Sequence, residues 1–261
     1  MPPLKITVAT VTYNAEALIA RTIKSVEEQT YAHIEHVIVD GNSQDETLTH
    51  IHHYQERNSL AAIHDEIVCR SEPDEGLYDA MNKAIDLATG DYIVFLNAGD
   101  CFHAPDTLAK VAQAAQKAQG MPAVIYGDTN LVDSEGNYLR GRRLTPPENL
   151  NWRSFKHGML VCHQAFFART DLAKQFHYDD EHYRFSADFD WCIRIMREAA
   201  RLKHPLVNVH EVVADYMNEG LTTKNHKASL RERFCIMAHH YGWISTILFH
   251  IWFVIRNFTK K

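Results

Sequence analysis

The sequence predicts an α/β fold, with a Rossmann-like, mostly parallel central sheet flanked by helices and a helical appendage at the C-terminus. Three observations predict it. Apolar strand patterns alternate with amphipathic helix patterns from residue 5 to residue 96, polar residues follow each strand, and the last forty residues turn basic and aromatic. Strands that alternate with helices form parallel sheets with right-handed crossovers.

Periodicity places the elements of the first half of the chain. Runs of β-branched and apolar residues predict strands at 5–11, 34–39, 67–69 and 91–96. Apolar residues at helical spacing predict helices over 15–29, 43–57 and 77–88. The pattern Ser43-x-x-Glu46 predicts a capping box at the start of the second of these helices.

The pattern loosens after about residue 122. Strands are predicted at 123–126, 138–142 and 162–168, and helices at 188–200 and 226–241. We find no repeat and no low-complexity linker. The predicted organisation is one compact domain over 1–222, with halves at 1–110 and 111–222, followed by a basic, amphipathic helical region over 223–261.

Charge and cysteine content narrow the class of protein. The 261 residues include 27 Lys or Arg and 33 Asp or Glu, a net charge of −6. Residues 221–261 hold seven bases and one acid, so they carry +6 and the first 220 residues carry −12. An acidic body argues against general nucleic-acid binding. Five cysteines without a CxxC pair, and no signal-peptide pattern, predict a cytoplasmic protein.

Polar residues follow each strand of the first half, where open α/β sheets bind ligands. The four segments are 12–14, 40–43, 71–76 and 97–100. Neither G-x-G-x-x-G nor a P-loop is present, so a bound diphosphate needs another counter-charge. A divalent cation held by carboxylates is the natural substitute, and Asp100 is the best-placed ligand. The alternative is that Asp100 caps a solvated turn.

The other polar candidates also have structural alternatives. Asp40 ends a buried strand, where it could bind a base or ribose or simply form a turn. Ser43 and Asp45 fit helix caps better than ligand contacts. The helix dipole alone favours Asp188 and Asp190 at a helix start, and a lone His such as His163 is usually structural.

Together these segments resemble the family 2 glycosyltransferases, inverting enzymes of the GT-A fold that use nucleotide-diphosphate sugars. The matching stretches are 7–14, 18–31, 35–47, 71–85 and 88–100. The last two look like a bacterial subgroup associated with capsule, colanic acid and other exopolysaccharides. Weaker similarity continues at His163-Gln164, at Ala187-Asp188 and at 219–222.

The resemblance implies roles for particular residues. Asp188 matches the catalytic base, and Asp100 stands in the segment that holds Mg²⁺ or Mn²⁺ in the family. The substrate-binding residues that it implies are Thr12, Tyr13, Asn14, Asp40, Asp74, Asp79, Asn82, Asn97, Ala98, Gly99, His163, Gln164, Gly220 and Thr222. Two departures stand out: Asn97-Ala98-Gly99-Asp100 keeps one carboxylate of the Asp-x-Asp-Asp motif, and Ala187 replaces the usual Glu before Asp188.

The apolar stretch at 243–255 is too short to span a bilayer, which needs roughly 20 residues. Its aromatic residues and basic flanks are typical of an interfacial helix, so we favour contact with the inner face of the cytoplasmic membrane. The alternative is packing on the domain or on a second subunit of a homodimer. The resemblance implies a nucleotide-sugar donor and a glycan or polyprenyl-linked acceptor.

Three functions remain open at this point. The first is an inverting glycosyltransferase of cell-surface polysaccharide synthesis. The second is a catalytically weak family member that binds the donor or serves as a scaffold, which the reduced metal motif would fit. The third is a sugar-nucleotide pyrophosphorylase, which would be expected to carry a Gly-rich basic loop after the first strand, where this chain has Thr12-Tyr13-Asn14.

Overall fold

The structure is a computed structural model that describes residues 3–61, 65–218 and 225–259. Its strands are β1 Ile6–Thr12, β2 Ile34–Asp40, β3 Glu66–Ser71, β4 Tyr92–Phe95, β5 Cys101–Phe102, β6 Val124–Val132, β7 Tyr138–Gly141, β8 Phe166–Arg169 and β9 Leu206–Met217. Its α-helices are α1 Glu16–Glu27, α2 Thr47–Ser59, α3 Leu77–Leu87, α4 Thr107–Lys117, α5 Thr170–Gln175, α6 Ala187–Leu202, α7 His226–Tyr241 and α8 Trp243–Thr259. Short 3₁₀ helices occupy Trp152–His157 and His163–Ala165.

One sheet runs through the described part of the chain in the order β3-β2-β1-β4-β8-β6-β9-β5, with β7 paired to β6. The four strands from β3 to β4 are parallel, as expected for strands joined by helices. Beyond β4 the pairings are mixed: β8 is antiparallel to both neighbours, and β9 is parallel to β6. The predicted α/β class is confirmed, and the sheet is parallel in its first half and mixed in its second.

Hydrophobic side chains cover both faces of the parallel half. Because side chains alternate along a strand, Val37 and Val39 of β2 join the large core with α3, whereas Ile38 packs with α1 and α2 on the opposite face. Strands β1, β2 and β4 are buried along their whole length. This double coverage fixes the strand ends, and with them the polar segments that follow.

Several elements differ from the predictions. Helix α2 begins at Thr47, not at Ser43, because the Ser43 backbone N–H and hydroxyl both donate to Asp40 instead of capping a helix. The predicted strand at 162–168 is a 3₁₀ turn followed by the shorter β8. The patterns missed α4 and the twelve-residue β9, whose His210 and Glu211 are exposed and interrupt any alternation.

The last two helices pack against the rest of the protein through α7. Helix α7 contacts α6 and the 3₁₀ helix at 152–157, and α8 lies along α7 and the same 3₁₀ helix. The region predicted as an appendage from residue 223 therefore begins with a helix docked on the domain. Among the described residues, none of the helices has the length and apolar character needed to cross a membrane.

Candidate active site

A cavity of about 370 Å³ lies beyond the end of β4, between that strand and the start of α6. It brings together segments that are far apart in the sequence. The predicted site residues that line it are Asn97, Ala98, Asp100, His163, Gln164 and Asp188. Carboxylates from two different elements thus face one enclosed volume, which is the arrangement that an acid–base or metal-assisted reaction requires.

Asp188 lies in the first turn of α6 and is half-buried. The Tyr78 hydroxyl donates a hydrogen bond to Asp188 Oδ1 over 3.0 Å, and this fixes the orientation of the carboxylate. Burial, together with the neighbouring Asp188 charge, holds the pKa of Tyr78 well above its usual value. Tyr78 therefore stays protonated and serves Asp188 as a donor at neutral pH.

Asp100 is buried at the base of the cavity. Its carboxylate accepts hydrogen bonds from the Met217 amide over 2.9 Å and from the Gln164 side chain over 3.0 Å. Burial raises the pKa of Asp100 to about 7, and these two hydrogen bonds oppose that rise. The predicted site residues Gln164 and Asp100 are therefore in direct contact through a hydrogen bond.

The segment from Asn97 to Asp100 fits a divalent cation in part. The Asn97 side-chain oxygen is buried without a hydrogen-bond partner in the described structure, and both Asn97 and Asp100 line the cavity. An amide oxygen and one carboxylate suit Mg²⁺, which usually takes one or two carboxylates and completes its shell with water and phosphate. No group of three or more acidic, His or Cys side chains suited to a metal occurs among the described residues.

His163 forms part of an aromatic wall. Its ring stacks on Phe95 with centroids 5.1 Å apart, and Nε2 lies 2.6 Å from the Tyr178 hydroxyl. Burial lowers the pKa of His163 to about 4, although the Asp188 charge acts in the opposite direction. The imidazole is therefore neutral near pH 7, and it shapes the cavity without adding charge.

A second cavity of about 610 Å³ adjoins the first, because Leu77 lines both. Thr12, Tyr13 and Asp74 of the predicted site line it. Tyr13 is 63% exposed and presents its ring at the end of β1. Burial raises the pKa of Asp74, whose Oδ1 also accepts the Gly76 amide over 2.9 Å. A flat aromatic ring next to a carboxylate suits a nucleoside.

Asp40 and Asn14 line neither cavity. Asp40 is fully buried, and its carboxylate accepts from Ser43 and from the Ser71 hydroxyl over 2.6 Å. Asn14 adopts a left-handed conformation at φ 46° and accepts the Gln44 amide over 2.8 Å. The Asp40 carboxylate thereby joins two loops, which is the structural alternative named for it. Both residues position the backbone next to the second cavity.

Three further predicted residues line neither cavity: Asp79, Asn82 and Gly99. Each forms an ion pair or hydrogen bonds with other parts of the protein. Asp79 pairs with Lys83 over 3.0 Å. Asn82 uses both ends of its amide on the backbone of Tyr178, at 2.8 and 3.0 Å. Gly99 adopts φ +103° and accepts the Arg21 guanidinium. The predicted residues Gly220 and Thr222 lie outside the described residues.

Some cavity residues carried no recognisable sequence signal. Arg142 reaches the cavity from the end of β7, and Arg233 reaches it from α7. Tyr216 and Met217 arrive on β9, a strand that the patterns missed. Of these residues, only Arg142 lies in an unusual sequence, Gly141-Arg142-Arg143, that could have drawn attention to it.

Comparison with known proteins identifies the family to which this fold belongs. Residues 7–176 match the family described as glycosyl transferase family 2. The chain belongs to that family. It therefore is a glycosyltransferase with a GT-A fold, as the sequence resemblance implied.

Two relatives show how far the similarity extends. The chain is 32% identical over 209 residues to a PGL/p-HBAD biosynthesis glycosyltransferase of Mycobacterium tuberculosis, covering 80% of this chain and 75% of the relative. It is 29% identical over 222 residues to the amylovoran biosynthesis glycosyltransferase AmsB of Erwinia amylovora, covering 81% and 71%. By their names, the first relative acts in PGL/p-HBAD biosynthesis and the second in amylovoran biosynthesis.

Two solved structures share the fold. S. aureus TarS superposes with a TM-score of 0.68 at 16% identity, covering 98% of this chain, which spans 44% of the TarS chain. The mannosyltransferase PcManGT from Pyrobaculum calidifontis, solved with GDP-Man and Mn²⁺, gives a TM-score of 0.62 at 18% identity, covering 94% and 74%. At these identities the likeness shows a common architecture.

Proposed function

We propose that this protein is an inverting glycosyltransferase of cell-surface polysaccharide synthesis. It transfers a sugar from a nucleotide-diphosphate donor to a hydroxyl of a glycan or lipid-linked acceptor. The observation that carries the proposal is that Asp188 shares one cavity with Asn97 and Asp100. This arrangement supports Asp188 as a base that faces the segment proposed to bind the leaving diphosphate.

The reaction is a single displacement in which Asp188 is the base. Its carboxylate accepts the proton of the acceptor hydroxyl as that oxygen bonds to the anomeric carbon. The bond from this carbon to the diphosphate oxygen breaks, and the diphosphate leaves with the electron pair. Attack from the face opposite the leaving group inverts the anomeric centre, so an α-linked donor gives a β-glycoside.

Donor binding is divided between the two cavities. Tyr13 and Asp74 contact the nucleoside in the second cavity, which opens beside the first at Leu77. Asn97 and Asp100 would hold Mg²⁺ or Mn²⁺ through oxygen atoms. When bound, the ion neutralises charge on the diphosphate. PcManGT, which shares the fold and was solved in complex with GDP-Man and Mn²⁺, supports a nucleotide-sugar donor and a divalent cation.

The test is a panel of nucleotide sugars, assayed for transfer and hydrolysis with and without Mn²⁺. We expect the protein to turn over one donor. Calorimetry in the presence of Mn²⁺ should show that Asp100→Asn, which keeps the side-chain shape, weakens the affinity for that donor about tenfold, or 1.4 kcal/mol. Asp86→Asn removes an exposed acid from α3 and serves as the control. Binding without turnover of any donor would favour the non-catalytic alternative.

We also propose that α8 lies on a lipid surface. Thr246, Phe249 and Phe253 face the protein, whereas a stripe at helical spacing is exposed. Its members are Ile244, Ile247, Leu248, Ile251, Val254 and Ile255. Exposed Lys227 and Arg231 on the neighbouring helix supply the positive charge that anionic lipid attracts. Such contact would bring the active site to a lipid-linked acceptor.

Vesicle flotation tests this contact. The wild-type protein should float with vesicles containing phosphatidylglycerol, and Ile244→Glu/Leu248→Glu should reduce the bound fraction several-fold because two charges would enter the apolar layer. Leu60→Glu, at another highly exposed leucine, is the matched control. If the double variant binds vesicles normally but changes a dimer into a monomer, the stripe is a subunit interface instead.

A further inference from the structure

Arg233 is a cation in the active-site cavity that belongs to the C-terminal helix pair. It extends from α7 to the cavity that holds Asp188 and Asp100. Its guanidinium lies over the Phe189 ring at 5.8 Å, and its Nε is buried without a hydrogen-bond partner in the described part of the chain. A buried donor without a partner is costly, so it marks a position where a ligand acceptor would be favourable.

Three contacts hold α7 against the beginning of α6. The Ser229 and Ser186 hydroxyls lie 2.8 Å apart, and Glu232 accepts the backbone amides of Arg184 and Phe185. Further along, His240 Nε2 lies 2.6 Å from Asp190 Oδ1, and both of these side chains are buried.

Residues 229, 233 and 240 are four and seven positions apart, so they share one face of the helix. The face that docks on α6 is therefore the face that carries Arg233. Asp188 and Asp190 occupy the first turn of the same α6. The position of Arg233 relative to the proposed base is thus fixed by interactions on both sides of it.

Arg142 also lines the cavity, but its nitrogens differ from those of Arg233 in their hydrogen-bond partners. Arg142 directs its terminal nitrogens at three backbone carbonyls, those of Met159, Leu160 and Leu144, at 2.6 to 3.2 Å. Its donors are therefore committed to the protein. Arg233 adds a second positive charge that offsets Asp188, which would otherwise repel an approaching anion.

We propose that Arg233 binds phosphate oxygens of a substrate in this cavity, so that α7 contributes a substrate-binding residue to the active site. A guanidinium suits this chemistry because its planar donors can pair with two phosphate oxygens at once. The phosphate belongs to the leaving diphosphate of the donor or to a phosphate-linked acceptor. The proposal rests on the proposed function and adds a residue from outside the matched region at 7–176.

Arg233→Met tests the proposal, because it keeps the apolar stem over Phe189 and removes the charge. Arg201→Met is the control, since Arg201 lies in the last turn of α6 and its side chain is 68% exposed. The two measurements are calorimetric binding of pyrophosphate and of UDP and GDP, and the KM for a polyprenyl-diphosphate-linked acceptor. Melting temperatures identify variants that fail to fold, and Arg233→Lys, which keeps the charge, should restore part of the lost binding.

The outcomes separate the two sources of phosphate. Loss of pyrophosphate and nucleotide affinity by about tenfold or more assigns Arg233 to the donor. Unchanged nucleotide affinity with an acceptor KM raised about tenfold or more assigns it to the acceptor. If neither value changes, or if Arg201→Met has the same effect, the proposal is wrong. Pyrophosphate binding that depends on Arg233 in a protein without transferase activity would contradict the proposed function alone.

Discussion

The parallel half of the sheet and the region beyond it use polar residues in different ways. In the parallel half, Asp40 bonds to Ser43 and Ser71, and Asn82 bonds to the backbone of Tyr178. Beyond β4, Asp188 and Arg233 line the cavity, where they can meet a substrate. Asp40 and Asn82 therefore fix the backbone of neighbouring segments, whereas Asp188 and Arg233 face a cavity.

This difference shows that the region with the most sequence motifs is not the region that holds the proposed catalytic base. The strand-end segments of the first half carry most of the family resemblance, yet several of their side chains position backbone. In the proposed function, the chemistry depends on Asp188 of α6 and Arg233 of α7. Three substitutions or titrations distinguish the two regions by whether activity or stability changes.

The largest effect is expected at Asp188. Asp188→Asn removes the base but can still accept the Tyr78 hydrogen bond, so turnover should fall by about 10²- to 10⁴-fold. Donor affinity and unfolding free energy should remain close to wild type. Initial rates and donor calorimetry measure both, with the exposed Asp171→Asn as control. Substantial remaining turnover would remove Asp188 from this role.

Asp40 should behave in the opposite way. Asp40→Ala leaves the Ser43 amide and the Ser71 hydroxyl without their acceptor, which should lower the unfolding free energy by about 2–3 kcal/mol. Urea denaturation measures this loss, and Asp86→Ala at the surface should leave the midpoint unchanged. A stable Asp40→Ala protein that no longer binds nucleotide would instead place Asp40 in the nucleoside site.

Per pH unit, the smallest effect is the dependence of stability on pH that comes from His36. Burial lowers the pKa of His36 to about 3, so the folded protein keeps this ring neutral while the unfolded chain protonates below about 6.5. The unfolding free energy should therefore fall between pH 6.5 and pH 3, by up to about 1.4 kcal/mol per pH unit.

Urea midpoints at pH 6.5, 5.5 and 4.5 measure this slope. His36→Gln should reduce it. His163, whose pKa is about 4, contributes to the slope in the same direction, and Asp100, whose pKa is raised to about 7, contributes in the opposite direction. An unchanged slope in His36→Gln would show that His36 does not contribute to the acid sensitivity.

The sequence predicted the parallel half of the fold because each strand and helix there has its own local pattern. The family resemblance implied that Asn97, Asp100 and Asp188 belong to one site, and all three line the same cavity. The sequence could not predict whether Asp40 faces a ligand or a neighbouring loop, because tertiary geometry decides that. Arg233 escaped prediction because only the docking of α7 on α6 brings it to the cavity.

Gly242, between α7 and α8, indicates where the chain can be shortened. It adopts φ +83°, and a Cβ placed there would have no neighbour within 4 Å. A recombinant form that ends at this glycine would lack the exposed stripe of α8 and keep Arg233. A form that ends at residue 222 would lose Arg233, which lines the cavity, together with α8. Its inactivity would then be wrongly attributed to the loss of lipid contact.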